Sequence, residues 1–375
     1  MKIAETELFR FLRKQAKRVF TFLASLLLRL YAFLDRKTLK PAAIKTIALP
    51  FLPHLGIGDL LMLSPIITHI AKHFESAAIH LLTHHPNFIQ FPENVHLIPP
   101  NKAASRYDLL LSISPHTKHV QYIRRSEMWY GYFFSTQIIS NISGTQSKKC
   151  DVHQNHHIHK GSLILAEKQL FGKLFKPFPA QLTYPDLHRK ELSADFKDTQ
   201  YLAIGIFPQF PQSEWSLSKF AYIINRLFEE SIFERLVILG GKSAREQVLN
   251  HAFQILLKVA PDKRVDLVGK TTLAKATTII ATSTAFLGID SGLAHIAYLV
   301  APMSFVVFTI AHPVYRLPLH QDLRDKITTF HPYEDDGVPI FDGQHPLSEQ
   351  QVKAIGERLD EREITSKIIE KMSAS

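Results

Sequence analysis

The chain has 375 residues, of which 46% are hydrophobic and 21% charged, a balance typical of two α/β domains with large apolar cores. Its single cysteine, Cys150, excludes an internal disulfide and suits a reducing compartment. The formal net charge of +10 is concentrated in residues 1–40, which hold ten Lys or Arg and three acids, so the body of the chain is not expected to bind nucleic acid.

Residues 1–40 are predicted to form a basic amphipathic helix. Apolar residues recur at helical spacing from Leu8 to Phe33, and basic residues follow the same spacing on another face. The longest charge-free run is the ten residues 19–28, whereas a membrane-spanning helix needs about twenty. We therefore expect an interfacial helix that binds an anionic membrane surface through residues 8–36. A cleaved signal peptide and a helix docked on the protein's own body are the alternatives.

Residues 41–190 are predicted to form a first domain with a parallel sheet, because strand-like and helix-like runs alternate there. After the first strand-like run, Gly58 and Asp59 form a turn that precedes a helical run. A dinucleotide fingerprint would need a third glycine where Leu61 stands, and the Asp59 carboxylate would repel a pyrophosphate. Asp59 is instead well placed to accept a proton from a substrate hydroxyl, the alternative being a helix cap. The predicted strands are residues 44–49, 77–83, 96–99 and 107–114.

Two groups of histidines are candidate ligand-binding residues. His84 and His85 follow the second predicted strand, at an edge that faces the cleft in a doubly wound sheet, so contact with an acceptor is one interpretation. A second group has the donor atoms of a metal site but lacks acidic or Cys partners, which favours an ordinary solvated loop. It consists of His153, His156, His157 and His159. No metal and no cofactor are predicted.

Residues 198–345 are predicted to form a second domain, because the alternation restarts after a polar, Pro-containing stretch. Its fourth strand runs into Asp290, Ser291 and Gly292 at the start of a helical run. The free backbone N–H groups and the positive dipole end of such a helix favour an anion, and Gly292 lets a diphosphate approach closely. An ordinary N-cap followed by a core histidine, His295, is the alternative. The predicted strands are residues 201–207, 236–241, 265–269, 286–290 and 305–309.

These features, in this order, resemble the heptosyltransferase family of bacterial lipopolysaccharide synthesis, glycosyltransferase family 9. The shared features are a Gly-Asp turn, an early Trp in the second domain, a strand ending in Gly-Gly, a Gly-Lys-Thr-x-Leu turn and Asp-Ser-Gly-x-x-His. They occur at residues 58–59, 215, 236–241, 269–273 and 290–295. The resemblance implies a glycosyltransferase-B fold, in which two Rossmann-like doubly wound domains face each other across a cleft. It also implies that the helix in residues 346–375 packs back on the first domain.

The resemblance implies sugar transfer from a nucleotide diphosphate donor to an acceptor hydroxyl, with inversion at the anomeric carbon and without a metal ion. The expected donor is ADP-heptose, the acceptor is a lipid-linked oligosaccharide of the lipopolysaccharide or lipooligosaccharide core, and the expected location is the cytoplasmic face of the inner membrane. Asp59 is then the general base, and Gly58, His84 and His85 contact the acceptor. The expected donor-binding residues are Gln209, Ser213, Glu246, Lys270, Thr271, Asp290, Ser291, Gly292, Leu293 and His295.

The chain departs from the family pattern in the second domain. Relatives carry a Lys two residues before the Trp, where this chain has Ser213, and the small polar run of the family is changed around Gln209. Losing a cation beside a diphosphate costs about 1–3 kcal/mol of charge-assisted hydrogen bonding. Glu246 is the nearest candidate for the acid that relatives use on the ribose. The lysines that we consider as replacements are Lys219, Lys242 and Lys270.

Two other functions therefore stand beside heptosyl transfer. The same fold is expected to transfer a different sugar, such as a hexose, if the donor site has changed. A catalytically silent member that binds a glycolipid or partner enzymes is the third possibility. The presence of Asp59 argues against the silent member, and the missing Lys argues for it.

Overall fold

The computed structural model describes residues 44–51, 56–112, 126–131, 182–191, 196, 199–310, 313, 316–318, 320–332 and 349–374. The predicted N-terminal helix and the histidines at 153–159 lie outside these residues. No helix in the described ranges has the length and apolar character that crossing a membrane requires.

The first domain is built on a five-stranded parallel sheet in the order β3-β2-β1-β4-β5. Strand β1 pairs with β2 on one side and β4 on the other, so the strand order reverses beside β1. In such sheets ligands bind outside the carboxyl ends of the strands at this reversal, which is where the chain enters α1. The elements are β1 (Thr46–Pro50), α1 (Ile57–His73), β2 (Ala78–Leu82), β3 (Val95–Ile98), β4 (Tyr107–Ser112) and β5 (Ser126–Gly131).

The second domain repeats this plan with a six-stranded parallel sheet in the order β11-β10-β9-β6-β7-β8. Here the order reverses between β6 and β9, which pair directly. The elements are β6 (Tyr201–Gly205), α2 (Leu217–Glu229), β7 (Arg235–Ile238), α3 (Ala244–Leu256), β8 (Arg264–Asp266), α4 (Leu273–Thr282), β9 (Ala285–Ile289), α5 (Gly292–Val300), β10 (Ser304–Val307), α6 (Gln321–Arg324) and β11 (Ile327–Phe330). The predicted pair of doubly wound α/β domains is confirmed.

Helix α1 contains a proline, Pro65, that would ordinarily interrupt it. Proline has no N–H for the carbonyl four residues earlier, which here belongs to Leu61. The buried hydroxyl of Ser64 donates to that carbonyl at 2.7 Å and replaces the missing bond. The helix therefore continues to His73 and carries a buried apolar face from Leu60 to Ala71.

The apolar core of the first domain continues into the second through the contact between α1 and α5. Leu61 of α1 and Ala294 and Ala297 of α5 are buried in the same cluster as the first-domain strands. The small alanine side chains let the two helices approach closely, and burying each larger apolar side chain contributes about 1.5–3 kcal/mol. This contact holds the start of α1 against the start of α5.

The segment that connects the domains packs on both of them. Ile89 of the first domain forms an isolated antiparallel bridge with Leu187. On the other side, the backbone N–H of Lys190 donates to the Thr278 hydroxyl of α4 at 2.8 Å. Residues 182–191 therefore run along the junction between the two domains.

The C-terminal helices pack on the second domain, contrary to the predicted return to the first. Helix α8 (Glu361–Ser373) packs against α2, and Ile364 and Ile368 join the core of the second domain. Helix α7 (Glu349–Glu357) accepts a hydrogen bond at Gly356 from the indole N–H of Trp215, at 3.0 Å. The Trp that supports the family resemblance thus has a structural role in holding the C-terminal segment.

Two strands were missing from the prediction. Strand β11 has the sequence Ile-Thr-Thr-Phe and is only partly buried at its first three positions, so it lacks the continuous apolar run of the inner strands. Strand β5 lies at the edge of the first sheet and pairs only with β4. Edge strands are covered on fewer sides, and their sequences consequently give weaker strand signals.

Candidate active site

The general-base candidate, Asp59, lies in the first turn of α1. Gly56 precedes the helix with extended backbone angles, and its N–H donates to Asp59 Oδ2 at 2.8 Å. Asp59 therefore does cap the helix, as one interpretation proposed, and this bond also fixes the orientation of the carboxylate. Asp59 remains partly exposed at the carboxyl edge of the first sheet.

The anion-binding candidate is the start of α5, directly after β9. Ser291 precedes the helix with φ −155° and ψ 173°, and no described side chain caps it. The first-turn N–H groups, beginning with Gly292, have no intrahelical acceptor and point out of the helix end. Such an end favours an anion through both its N–H donors and its dipole.

The structure brings these two helix starts into contact. A Cβ atom on Gly58 would overlap the imidazole of His295, and a Cβ atom on Gly292 would lie 3.4 Å from Ile57 Cβ. The same Cβ atom on Gly292 would lie 3.8 Å from the backbone nitrogen of Gly58. The acid of the first domain and the exposed amides of the second therefore share one small region.

Gln209 reaches this region from the loop after β6. Its Oε1 lies 3.8 Å from the position of a Cβ on Gly56. Because β6 and β9 are neighbours at the strand-order reversal, Gln209 and Asp290 leave the same edge of the second sheet. Gln209 thus faces the turn that carries Asp59.

Asp290 is held by two partners rather than being free to face a ligand. Its Oδ1 lies 3.7 Å from His295 Nε2, and its Oδ2 lies 3.2 Å from Nε of Arg316. Burial lowers the pKa of the Arg316 guanidinium, but the negative charges of Asp290 and then Asp59 outweigh burial, and the net shift is upward. Arg316 was missing from the sequence prediction, because no motif marks the segment after β10.

His295 is buried and packs against the other residues of this group. Its ring lies edge-on to Tyr298 with centroids 5.1 Å apart, and it touches the Gly58 backbone on the opposite domain. Burial raises the pKa of the Tyr298 phenol well above its ordinary value, and the nearby Asp290 adds to this shift. This buried place agrees with the alternative of a core histidine, and the donor-binding role of His295 stays a prediction.

A small pocket, open in part to solvent, adjoins this cluster. Its walls come from α1, from α5, from Tyr184 of the connecting segment and from residues 316–318. His295, Tyr298 and Arg316 are its polar lining residues on the second domain. The pocket therefore lies at the junction of the two domains, beside the two helix starts.

Three of the predicted donor-binding residues form hydrogen bonds with other parts of the protein. Ser213 is only 7% exposed, and its carbonyl accepts a hydrogen bond from the Thr309 hydroxyl at 3.1 Å. Glu246 caps α3, accepting from the Gly241 N–H at 2.7 Å and from the Ser243 hydroxyl at 2.7 Å. Lys270 donates to the Asp266 carbonyl at 2.9 Å. These bonds reduce the capacity of Glu246 and Lys270 to bind a donor, and burial does so for Ser213.

The turn that carries Lys270 and Thr271 adjoins the Gly-Gly end of β7. Gly269 has φ +73°, in the left-handed region that glycine adopts without strain, and its N–H donates to the Gly240 carbonyl at 3.0 Å. This bond joins the carboxyl ends of β7 and β8 into one surface. The donor-binding role of Lys270 and Thr271 stays a prediction.

The predicted acceptor residues His84 and His85 lie at the carboxyl end of β2. The ring of His85 is 5.7 Å from that of Phe51, which follows β1, and His84 is exposed. They are therefore on the same sheet edge as Asp59. The described residues contain no group of three or more His, Cys, Asp or Glu that could hold a metal ion.

Comparison with known proteins supports the resemblance. The family model described as "Glycosyltransferase family 9 (heptosyltransferase)" matches residues 107–324. No curated protein matches the chain.

Solved structures share the fold at low sequence identity. A family 9 glycosyltransferase from Veillonella parvula has a TM-score of 0.59 and 13% identity, covering 91% of this chain and 100% of its own. The iron-containing dodecameric glycosyltransferase TibC from enterotoxigenic E. coli has a TM-score of 0.57 and 13% identity, and the match covers 90% of this chain and 78% of TibC. ADP-heptose lipopolysaccharide heptosyltransferase II from E. coli has a TM-score of 0.53 and 15% identity, and the match covers 86% of this chain and 99% of that enzyme. Because the family model spans more than half of the sequence, the chain belongs to glycosyltransferase family 9, the heptosyltransferase family.

Proposed function

We propose that this protein is an inverting, metal-independent glycosyltransferase that moves heptose from ADP-heptose to a hydroxyl of the lipopolysaccharide or lipooligosaccharide core. The observation that supports this most is the contact between the Asp59 turn and the uncapped start of α5. One side supplies a carboxylate for the acceptor and the other supplies amide donors for a diphosphate. Family membership supports glycosyl transfer, and the E. coli relative named for ADP-heptose supports the choice of donor.

In the proposed reaction Asp59 accepts the proton of the acceptor hydroxyl. The acceptor oxygen attacks the anomeric carbon from the face opposite the diphosphate, and the bond between that carbon and the leaving oxygen breaks. A single in-line displacement inverts the configuration and needs only one general base. Negative charge grows on the departing diphosphate, where the N–H groups at Ser291 and Gly292 stabilise it.

A different sugar donor is the first alternative. It is supported by the replacement of the family Lys with Ser213, which is buried, and by the capping bonds of Glu246. A silent glycolipid-binding member is the second alternative, supported by the same losses.

The cellular location is proposed from the N-terminal sequence. The excess of basic residues in 1–40, in a segment whose sequence predicts a helix with one apolar face, suits peripheral attachment to the cytoplasmic face of the bacterial inner membrane. That surface would also hold the lipid-linked acceptor.

The test is a calorimetric screen of ADP-, UDP-, GDP- and CMP-sugars, followed by turnover assays with a lipopolysaccharide core acceptor. Binding and transfer of ADP-heptose, with an inverted product, is the expected result. Transfer of another sugar would establish the first alternative, and binding of the acceptor glycolipid without turnover of any donor would establish the second. Failure to bind any nucleotide sugar or the acceptor would contradict all three functions.

A further inference from the structure

We propose that Arg316 is a positioning residue that neutralises the Asp290 carboxylate at the diphosphate-binding helix start. In this chain it compensates for the cation that is lost where Ser213 stands. The inference rests on the proposed function, because it concerns how the start of α5 can accept a nucleoside diphosphate. Nothing in the sequence motif itself includes Arg316.

The need for a cation follows from the two acids at this place. Asp290 lies directly before Ser291, the residue that precedes the helix, and Asp59 lies on the facing turn of the first domain. Carboxylates repel a diphosphate that binds beside them, and this repulsion is stronger in a partly buried site than in water. The helix dipole supplies only about half a positive charge. A further positive charge beside these carboxylates would therefore favour the binding of a diphosphate.

Arg316 is placed to provide this charge. Its Nε lies 3.2 Å from Asp290 Oδ2, while His295 lies against the other oxygen of the same carboxylate. The Arg316 side chain is 33% exposed to solvent and lines the pocket between the domains, so a ligand in the site can approach it.

The lysines considered from the sequence are less suited to this role. Lys219 donates to the Leu359 carbonyl at 2.6 Å and lies 3.4 Å from the Glu361 carboxylate, so it holds the C-terminal helices. Lys270 bonds to Asp266 at the carboxyl end of β8. Lys242 is exposed on the turn after β7, away from the strand-order reversal at β6 and β9.

The experiment measures the binding of ADP, UDP, GDP and CDP by calorimetry in variants that remove the charge of Arg316, of Asp290 or of both. Arg316→Gln is expected to lower the affinity for the most tightly bound of these ligands by roughly 10- to 100-fold. The reason is that the negative charge of Asp290, without its cation, then repels the diphosphate. Arg316→Lys should retain most of the affinity. The double variant Asp290→Asn/Arg316→Gln should bind about as well as Asp290→Asn alone, because no carboxylate is left at Asp290 for Arg316 to neutralise.

The matched control is Arg362→Gln, which removes the same charge from the exposed surface of α8 and should leave affinity unchanged. Thermal unfolding of each variant separates weaker binding from loss of the fold. If Arg316→Gln does not fold, Arg316→Lys and the double variant still give the comparison.

Two results would overturn the inference while the proposed function stands. One is wild-type affinity in Arg316→Gln. The other is a double variant that binds as weakly as Arg316→Gln, which would mean that Arg316 acts on something other than Asp290. If the unsubstituted protein binds none of the four nucleoside diphosphates, the proposed function fails and this inference fails with it.

Discussion

The imidazole of His295 lies directly against the backbone of Gly58, so that helix starts from two different domains meet where no side chain fits on Gly58. Gly58→Ala is therefore expected to push α1 away from α5. The overlap should cost about 1–3 kcal/mol of unfolding free energy and lower glycosyl transfer, because Asp59 is the next residue. Urea unfolding and turnover assays measure the two effects.

Gly56→Ala is the matched control, because a Cβ there meets no atom closer than 3.7 Å. Adding His295→Ala to Gly58→Ala should restore stability by removing the ring, although activity would stay low. Equal stability of Gly58→Ala and the unsubstituted protein would show that the two turns are not in contact.

Asp59→Asn should abolish most of the turnover and leave donor binding intact. An amide can still accept the bond from the Gly56 N–H, which the carboxylate accepts at 2.8 Å, but it cannot take a proton from the acceptor. Loss of a general base lowers kcat by roughly 10²- to 10⁴-fold. The exposed Asp262→Asn serves as a control for the charge change. Unaltered turnover in Asp59→Asn would remove Asp59 from the mechanism.

Gly292→Ala should weaken nucleoside diphosphate binding without lowering stability. The added methyl group would be in ordinary contact with Ile57 at 3.4 Å, so the fold tolerates it, and alanine favours the helix. The same methyl group stands beside the first-turn amides and keeps the phosphates at a greater distance, with an expected loss of about tenfold in affinity. Calorimetry with ADP measures this, and an undiminished affinity would place the diphosphate elsewhere.

The free energy of unfolding should fall as the pH drops below neutrality. Burial lowers the pKa of His69 and His73 on α1, and of His80 on β2, below the ordinary value of 6.5. A His with a lowered folded pKa contributes stability that is present above 6.5 and is lost as the pH falls, because the unfolded chain binds the protons.

Urea unfolding at about pH 7.5 and about pH 5.5 tests this effect. The variant His69→Gln/His73→Gln should lose less stability between the two conditions, whereas the exposed His251→Gln should behave like the unsubstituted protein. A pH dependence that is the same in all three proteins would contradict the assignment to α1.

Deletion of residues 1–36 should release the protein from vesicles that contain anionic lipid. These residues carry half of the formal net charge of the chain, and attraction between basic residues and anionic headgroups is worth about 1 kcal/mol per Lys or Arg. Sedimentation with anionic and neutral vesicles measures the binding, and the full chain should bind the anionic ones more strongly. Continued sedimentation of the shortened protein with anionic vesicles would show that another surface makes the attachment.

The sequence was sufficient for features that depend on neighbouring residues. The alternation of buried strands and helices predicts both sheets, because a strand covered on both faces must be apolar throughout. The candidate acid and the anion site are also local, since Asp59 and Gly292 each follow from a turn at the start of a helix. The helix cap at Asp59 was one of the two interpretations of the sequence, and the structure shows its bond with the Gly56 N–H.

Only the tertiary structure decided which distant groups meet. Sequence spacing does not show that Arg316 pairs with Asp290, that Lys219 is used by the C-terminal segment, or that α8 packs on the second domain. Such pairings depend on which strand lies beside which and on how the two domains contact one another, whereas a helix start is fixed by a few consecutive residues. For this protein, the sequence therefore predicted a candidate acid and a candidate anion site, and the packing of α1 on α5 decided that the two lie together.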